Sequence, residues 1–149
     1  NLVPRWDELP VLDLYLDQVL LYVNKVCIPA FTASDKGLTA SMINNYVKHG
    51  YLEKPSKKKY NRQQVARLIA ITSLKTVFSI QDIAATLDML NAETQSEELY
   101  NDFVDYMNGQ KLEVRPIIAS ACQTLKLYQQ TLAFIQIPEK EVDNDELRA

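Results

Sequence analysis

The chain has 149 residues, of which 47% are hydrophobic and 23% charged, as in an ordinary globular domain. No apolar run approaches the roughly 18 residues that span a bilayer, and no charged-then-apolar leader precedes the first helix. We therefore expect a cytoplasmic protein and not a membrane-spanning one. Only three glycines and no strict alternation of apolar and polar residues predict a mainly α fold.

The positive charge is concentrated in one segment of an acidic chain, whose formal net charge is −3. Residues 36–75 hold nine Lys and Arg against one acid, Glu53, a net charge of +8. Residues 1–35 carry −3 and residues 76–149 carry −8. Such a distribution favours contact between one basic surface and a polyanion.

The first predicted helix covers residues 12–27, with Asp13 as its cap and Pro29 as its end. Its apolar positions recur at helical spacing: Leu12, Leu16, Val19, Val23 and Val26. After a loop through residues 33–37, Thr39 is placed to cap a short second helix that Gly50 ends.

A β-hairpin is predicted over residues 51–60, with its turn at Pro55-Ser56. Asn61 and Gln64 have the spacing of a capping box, which predicts a third helix. Ser79 with Asp82 predicts the cap of a fourth helix. Residues 91–98 are predicted to form a linker. An amphipathic segment follows, and Asn108-Gly109 is expected to end it.

The last predicted helix runs from Pro116 to Ile137-Pro138 and is followed by a frayed acidic tail. Apolar side chains recur in it at alternating spacings of four and three: Val114, Ile118, Ala121, Leu125, Tyr128, Leu132 and Ile135. This heptad pattern fits either a helix packed on its own domain or a dimer seam. A dimer would suit a DNA-binding protein, because two copies can reach successive major grooves.

The second helix carries a polar face. Ser41, Asn44, Asn45 and Lys48 follow the spacing of one helix surface, while the apolar residues fall on the other side. Asn can pair with adenine in the major groove, and Ser can reach a base edge, so Ser41, Asn44 and Asn45 are candidate base-reading residues. An ordinary solvated helix surface is the alternative.

A cationic strip follows that helix and would form a wing along the phosphate backbone. The candidate backbone-binding residues are Thr39, Lys48, Lys54, Lys57, Lys58, Lys59, Tyr60 and Arg62. A solvated lysine loop is the alternative for this strip taken alone. Together, helix face and strip predict binding to double-stranded DNA.

Two resemblances are carried by these residues. The first resemblance rests on Ile43, Tyr46, Gly50 and Leu52, followed by the lysines, Tyr60 and VARL…SLKTVFSIQDI. Over residues 38–90 this pattern resembles the winged helix-turn-helix of MerR-type regulators. Asn44-Asn45 stand where that family usually has Arg-Tyr, so it assigns no base contacts here. The second resemblance rests on two stretches, LPVLDLYLDQVLLYV and LTASMINNYVKHGYLEKPSKKKY. Both resemble the bacterial family catalogued as domain of unknown function 1836. This resemblance implies a MerR-like helix-turn-helix fold and no established activity.

Enzymatic and metal-dependent functions have little support. His49 is the single histidine, Cys27 and Cys122 have no CxxC partners, and both read as buried thiols. No phosphate-binding glycine loop or nucleophile motif occurs in the sequence. We therefore predict no catalytic residue, no metal and no cofactor.

The sequence thus predicts a MerR-like winged helix-turn-helix domain over residues 10–90 with a small β-hairpin wing. Residues 91–138 would form a C-terminal helical dimerisation or effector segment, and residues 139–149 an acidic tail. The predicted function is a dimeric, sequence-specific regulator of transcription that binds double-stranded DNA. The alternative is a non-enzymatic protein-interaction module; a small-molecule effector site within residues 99–137 has no polar cluster to support it.

Overall fold

A computed structural model describes residues 3–27 and 37–148, with side chains up to residue 135. The described helices are α1 (Leu16–Cys27), α2 (Ala40–Lys48), α3 (Arg62–Leu74), α4 (Ile80–Asn91), α5 (Ser96–Met107) and α6 (Pro116–Arg148). Two short antiparallel strands, β1 (Leu14–Tyr15) and β2 (Lys59–Tyr60), form the sheet. The predicted mainly α class with a small β element is confirmed.

Helix α3 forms the centre of the hydrophobic core and packs against α1, α4, α5 and α6. Its side chains Val65, Leu68, Ile69 and Ile71 are buried, which leaves α3 apolar on most of its circumference. Helices α1, α4, α5 and α6 each pack one face on it. The core of the described residues is therefore one cluster that includes Cys122 of α6.

Local capping signals are confirmed at three helix starts. The Thr39 side chain accepts a hydrogen bond from the Met42 amide at 3.2 Å. Asn61 and Gln64 form the predicted reciprocal capping box, with distances of 2.7 and 2.9 Å. Ser79 accepts from the amide of residue 82 at 3.1 Å. Each cap satisfies an amide that would otherwise lack a partner in the first helical turn.

The predicted start of α1 was wrong. The helix begins at Leu16, and Asp13 is not its cap, because Leu14–Tyr15 form β1 instead. The strand pairs Leu14 with Tyr60 and Tyr15 with Lys59. Leu12 is 81% exposed and belongs to no helix face. The predicted end at Pro29 lies outside the described residues.

The predicted hairpin needs a related correction. β2 pairs with β1 and not with residues 51–54, so the sheet joins the segment after α2 to the chain entering α1. Only the tip is a hairpin: Ser56 and Lys59 exchange two backbone hydrogen bonds of 3.0 Å each. A two-residue strand gains its stability from the packing around it, which a local hairpin would lack.

The segment that precedes β1 lies across α5. Val3 exchanges hydrogen bonds of 3.1 and 3.0 Å with the Asn108 side chain, and the guanidinium of Arg5 makes two bonds to Asp105, at 2.9 and 3.2 Å. The Trp6 amide donates to the side chain of Asn101 at 2.9 Å. These contacts tie the segment before β1 to α5, so residues 3–9 and α5 belong to one body.

Helix α6 is longer than expected, since it continues past Pro138 to Arg148. Its start at Pro116 is confirmed, as is the stop of α5 at Asn108-Gly109, where Gly109 has φ +74°. Among the described residues, no helix combines the length and apolarity needed to cross a membrane.

Candidate nucleic-acid interface

The polar face of α2, which we define as Ser41, Asn44, Asn45 and Lys48, is fully on the protein surface. All four residues are exposed, whereas Ile43 and Tyr46 on the opposite side are buried in the core. Helical spacing separates the two sets, and the core contacts fix which way the helix is turned. The candidate base-reading residues therefore lie side by side on an accessible helix surface.

The C-terminal end of α2 is closed by a glycine that permits a left-handed conformation. Gly50 has φ +75°, its amide donates to Val47 O at 3.1 Å, and the next amide, of Tyr51, donates to Tyr46 O at 2.8 Å. This pair of bonds is a Schellman motif. It turns the chain sharply out of the helix and toward α3, as the sequence predicted for Gly50.

His49 has a structural role at the same helix end. Its Nδ1 lies 2.9 Å from Asn45 O, and its ring stacks on Tyr51 with centroids 5.7 Å apart. Both contacts hold the last turn of α2. His49 is therefore a residue of the helix end.

Two side chains of α3 hold the segment that follows α2. Arg67 donates from Nε to Tyr51 O at 2.7 Å and from an Nη to Asp88 at 2.9 Å. Gln64 donates from Nε2 to the carbonyls of Glu53 and Lys54, at 2.9 and 3.1 Å. The segment leading to the lysines is thus fixed to the core helix. The sequence indicated only the capping role of Gln64, because the two carbonyls it binds are set by the tertiary fold.

The tip of the basic strip is a tight turn that we call the lysine turn, residues 56–59. Its two central residues, Lys57 and Lys58, have φ angles of 52° and 66°. Positive φ at both positions is the hallmark of a type I′ turn, which favours Asn-Gly. A lysine in this region costs roughly 1–2 kcal/mol. Both side chains are exposed, so the turn presents two cations at its tip.

The remaining basic residues divide into exposed and structural groups. Lys54 is exposed, while Lys59 is half-buried with its ammonium 5.0 Å from the centre of the Tyr15 ring. Arg62 donates to Leu9 O at 3.2 Å and so helps to fix the chain before β1. Arg67 is engaged as described above.

Tyr60 is a correction to the predicted interface. Its side chain is 3% exposed and belongs to the hydrophobic core, and burial raises the pKa of its phenol. It is a core residue and not a surface contact. Thr39 is exposed, but its hydroxyl is used as the cap of α2.

The interface cations have no carboxylate partners in the described part of the chain. Ion pairs there involve Arg5, Arg67, Lys111 and Arg115, and none of the lysines of the polar face or lysine turn. Arg62 and Arg67 hold the fold, whereas Lys48, Lys54, Lys57 and Lys58 are exposed.

The two thiols are buried as predicted. Burial raises the pKa of Cys27 to about 11 and that of Cys122 to about 12. Protonated thiols of this kind are poor nucleophiles and poor metal ligands. Within the described residues, His, Cys, Asp and Glu form no group of three that could hold a metal ion.

The sequence pattern of one protein family, the domain of unknown function DUF1836, matches residues 4–103, about two-thirds of the chain. The chain belongs to the DUF1836 family. The DUF1836 match contains β1, α1 to α4 and most of α5, together with the whole polar face and lysine turn, whereas α6 lies beyond it. No curated protein and no solved structure matches the chain.

Proposed function

We propose that this DUF1836 protein binds double-stranded DNA in a sequence-specific manner and regulates transcription in the cytoplasm, without catalysis. The observation that carries the proposal is the exposed α2 face, with two adjacent asparagines, followed in the chain by a turn with two exposed lysines at its tip. An asparagine pair with adenine supplies base recognition, and lysines supply phosphate contacts.

The order of elements supports a winged helix-turn-helix of the MerR type. A short strand precedes α1, α2 follows, and a tight turn leads to a second strand and then α3 and α4. In this proposal α2 enters the major groove and the lysine turn contacts the adjacent backbone as the wing. Lys48 and Lys54 are exposed as well and would add phosphate contacts.

The backbone of the lysine turn adds a physical argument. Asn-Gly would adopt the positive φ angles of this turn at a lower conformational free energy than two lysines do. The fold is therefore less stable than it would be with Asn-Gly at these two positions. Conformational cost retained at an exposed site is typical of a binding function. Contact with phosphates accounts for the presence of two cations at that tip.

The test is the salt dependence of binding to random-sequence duplex DNA. Neutralising about four to six phosphates predicts a fall in affinity on the order of 100-fold or more between low and moderate salt. The variant Lys57→Ala/Lys58→Ala should bind more weakly and with a flatter salt slope. Lys25→Ala/Lys126→Ala, which removes the same charge from two exposed helix positions, should match the parent. Equal binding by parent and turn variant contradicts the proposal.

A second candidate is a protein-interaction module, and the exposed apolar side chains near β1 favour it. Val11 is 80% exposed, Leu12 81% and Leu21 76%. Apolar side chains this accessible are common in protein-binding surfaces. In this case random duplex DNA would not bind at any salt concentration, and selection from a duplex pool would enrich no motif.

A further inference from the structure

Between residues 116 and 135, helix α6 has two largely uncharged surfaces, and its own domain covers only one of them. Between Arg115 and Glu139 the sequence contains a single charged residue, Lys126. Ile118, Cys122 and Leu125 are buried in the core. Beyond Leu125, residues 126–135 include no buried position, so this half of α6 leaves the body. An uncharged helix that extends away from its core needs another partner.

The residues of the heptad pattern seen in the sequence therefore fall into two groups in the structure, one packed on the core and one accessible. Ile118 and Leu125 of that pattern pack on the chain's own core, at 8% and 1% exposure, and cannot meet a second copy in this arrangement. The accessible stripe keeps Ala121, Tyr128 and Ile135 of that pattern and has Ile117, Thr124 and Thr131 in place of Ile118, Leu125 and Leu132. It consists of Ile117, Ala121, Thr124, Tyr128, Thr131 and Ile135, again at spacings of four and three; Ala121 is half-buried and the other five are exposed.

We propose that α6 pairs with α6 of a second copy of the chain, antiparallel, through this stripe. The spacing is symmetrical about residue 126: Ile117 would oppose Ile135 of the partner subunit, Ala121 would oppose Thr131 of the partner subunit, and Thr124 would oppose Tyr128 of the partner subunit. A two-fold axis requires this self-complementarity, because the same patch must serve both copies. Lys126 is two positions from Thr124 and Tyr128 and thus lies away from the seam.

The accessible area is sufficient for a dimer. Ile117, Leu127, Tyr128, Phe134 and Ile135 are between 37% and 63% exposed. At roughly 100 Å² for each half-exposed large side chain, two copies would bury about 1,000 Å² from these residues alone. That reaches the lower limit of about 1,000 Å² for specific interfaces. Leu127 and Phe134 would flank the seam on one side.

A cavity beside the seam gives the second observation. Side chains of α3, α4, α5 and α6 line a largely apolar pocket of about 120 Å³ that is open on one side, and Ile117 and Ala121 of the stripe contribute to its wall. In the antiparallel arrangement, Thr131 and Ile135 of the partner subunit lie against that wall. The second copy thereby covers an apolar opening that a single chain leaves to water.

Sedimentation of the full chain across a concentration series, without DNA, tests the pairing. The parent should form a dimer, and Ile135→Glu should raise its dissociation constant at least about tenfold, because a carboxylate would enter the apolar seam. Ala133→Glu and Gln130→Glu place the same charge on exposed positions outside the stripe and should dimerise like the parent. A monomeric parent, or equal effects of Ile135→Glu and Ala133→Glu, overturns the proposal.

Disulfide formation tests the direction. Ala121→Cys and Thr131→Cys should cross-link when the two variants are mixed, and neither should cross-link with itself. Cross-linking of each variant alone would indicate a parallel pair and overturn the antiparallel arrangement. The native cysteines are both buried, so the parent chain serves as the unreactive blank. Since no DNA is present, the outcome is separate from that of the DNA-binding test.

Discussion

Gln64 joins the start of α3 to the segment that follows α2, through a 2.9 Å hydrogen bond from its Nε2 to Glu53 O. The same side chain donates to Lys54 O and accepts from the amide of Asn61. It is only 5% exposed, so its amide group has three backbone partners away from water. One side chain therefore fixes both the helix start and the base of the lysine turn.

Loss of the Gln64 amide should destabilise the fold. In Gln64→Ala, two carbonyls and one amide lose their partner, which we expect to lower the free energy of unfolding by about 2–3 kcal/mol. Urea denaturation measures the change. The neighbouring Gln63→Ala is the control, since that side chain is exposed and should shift stability by less than about 0.5 kcal/mol. Equal effects of the two substitutions would contradict the bridging role.

Replacing the lysine turn by the preferred residues should separate stability from binding. Lys57→Asn/Lys58→Gly places a type I′ sequence on positive φ angles and should raise the free energy of unfolding by about 1 kcal/mol. The same variant lacks two phosphate contacts and should bind duplex DNA more weakly with a smaller salt slope. Denaturation and a DNA titration of one preparation give both results. A variant that is more stable and binds as well as the parent would show that the turn is not part of the DNA interface.

The asparagines of α2 should affect sequence preference more than overall affinity. Asn45→Ala is expected to reduce discrimination between a selected site and random duplex by about 1–3 kcal/mol. Lys48→Ala should instead weaken binding to both by a similar factor. Because both residues are exposed, neither change should alter the urea midpoint. Unaltered preference in Asn45→Ala would assign base recognition to other residues.

Stability should fall in alkaline solution because of the buried thiols. The pKa of Cys27 is raised by burial from 9.0 to about 11. Between these values the unfolded chain loses the thiol proton while the folded chain keeps it. The protonated thiol thus contributes fully to the free energy of unfolding below about pH 9. This contribution decreases toward pH 11, by about 1.4 kcal/mol per pH unit for each such thiol. Urea denaturation of the parent at pH 8 and 10 should show this loss.

Cys27→Ala tests the assignment of that loss. The substitution should lower stability at both pH values, because it empties a buried site, but it should make the difference between them smaller. Exposed Ser120→Ala should leave the difference unchanged. If Cys27→Ala retains the full alkaline loss, other buried groups are responsible for it.

Local signals in the sequence predicted most helix boundaries correctly. Thr39, Asn61, Gly50 and Gly109 act on backbone groups within a few residues of themselves, so their effect does not depend on the rest of the fold. The polar face of α2 could be predicted for the same reason, since helical spacing alone determines which side chains share a surface. The lysines could be placed near that helix by their position in the chain.

Contacts between distant segments were decided by the tertiary structure. β2 pairs with Leu14–Tyr15 because the packing of α1 on α3 brings these segments together, and no short-range pattern carries that information. For α6, the periodicity indicated an apolar surface, but only the core shows that Ile118 and Leu125 are covered while Ile117 and Ile135 are accessible. A repeat in the sequence determines which residues share a helix face, and packing determines what that face meets.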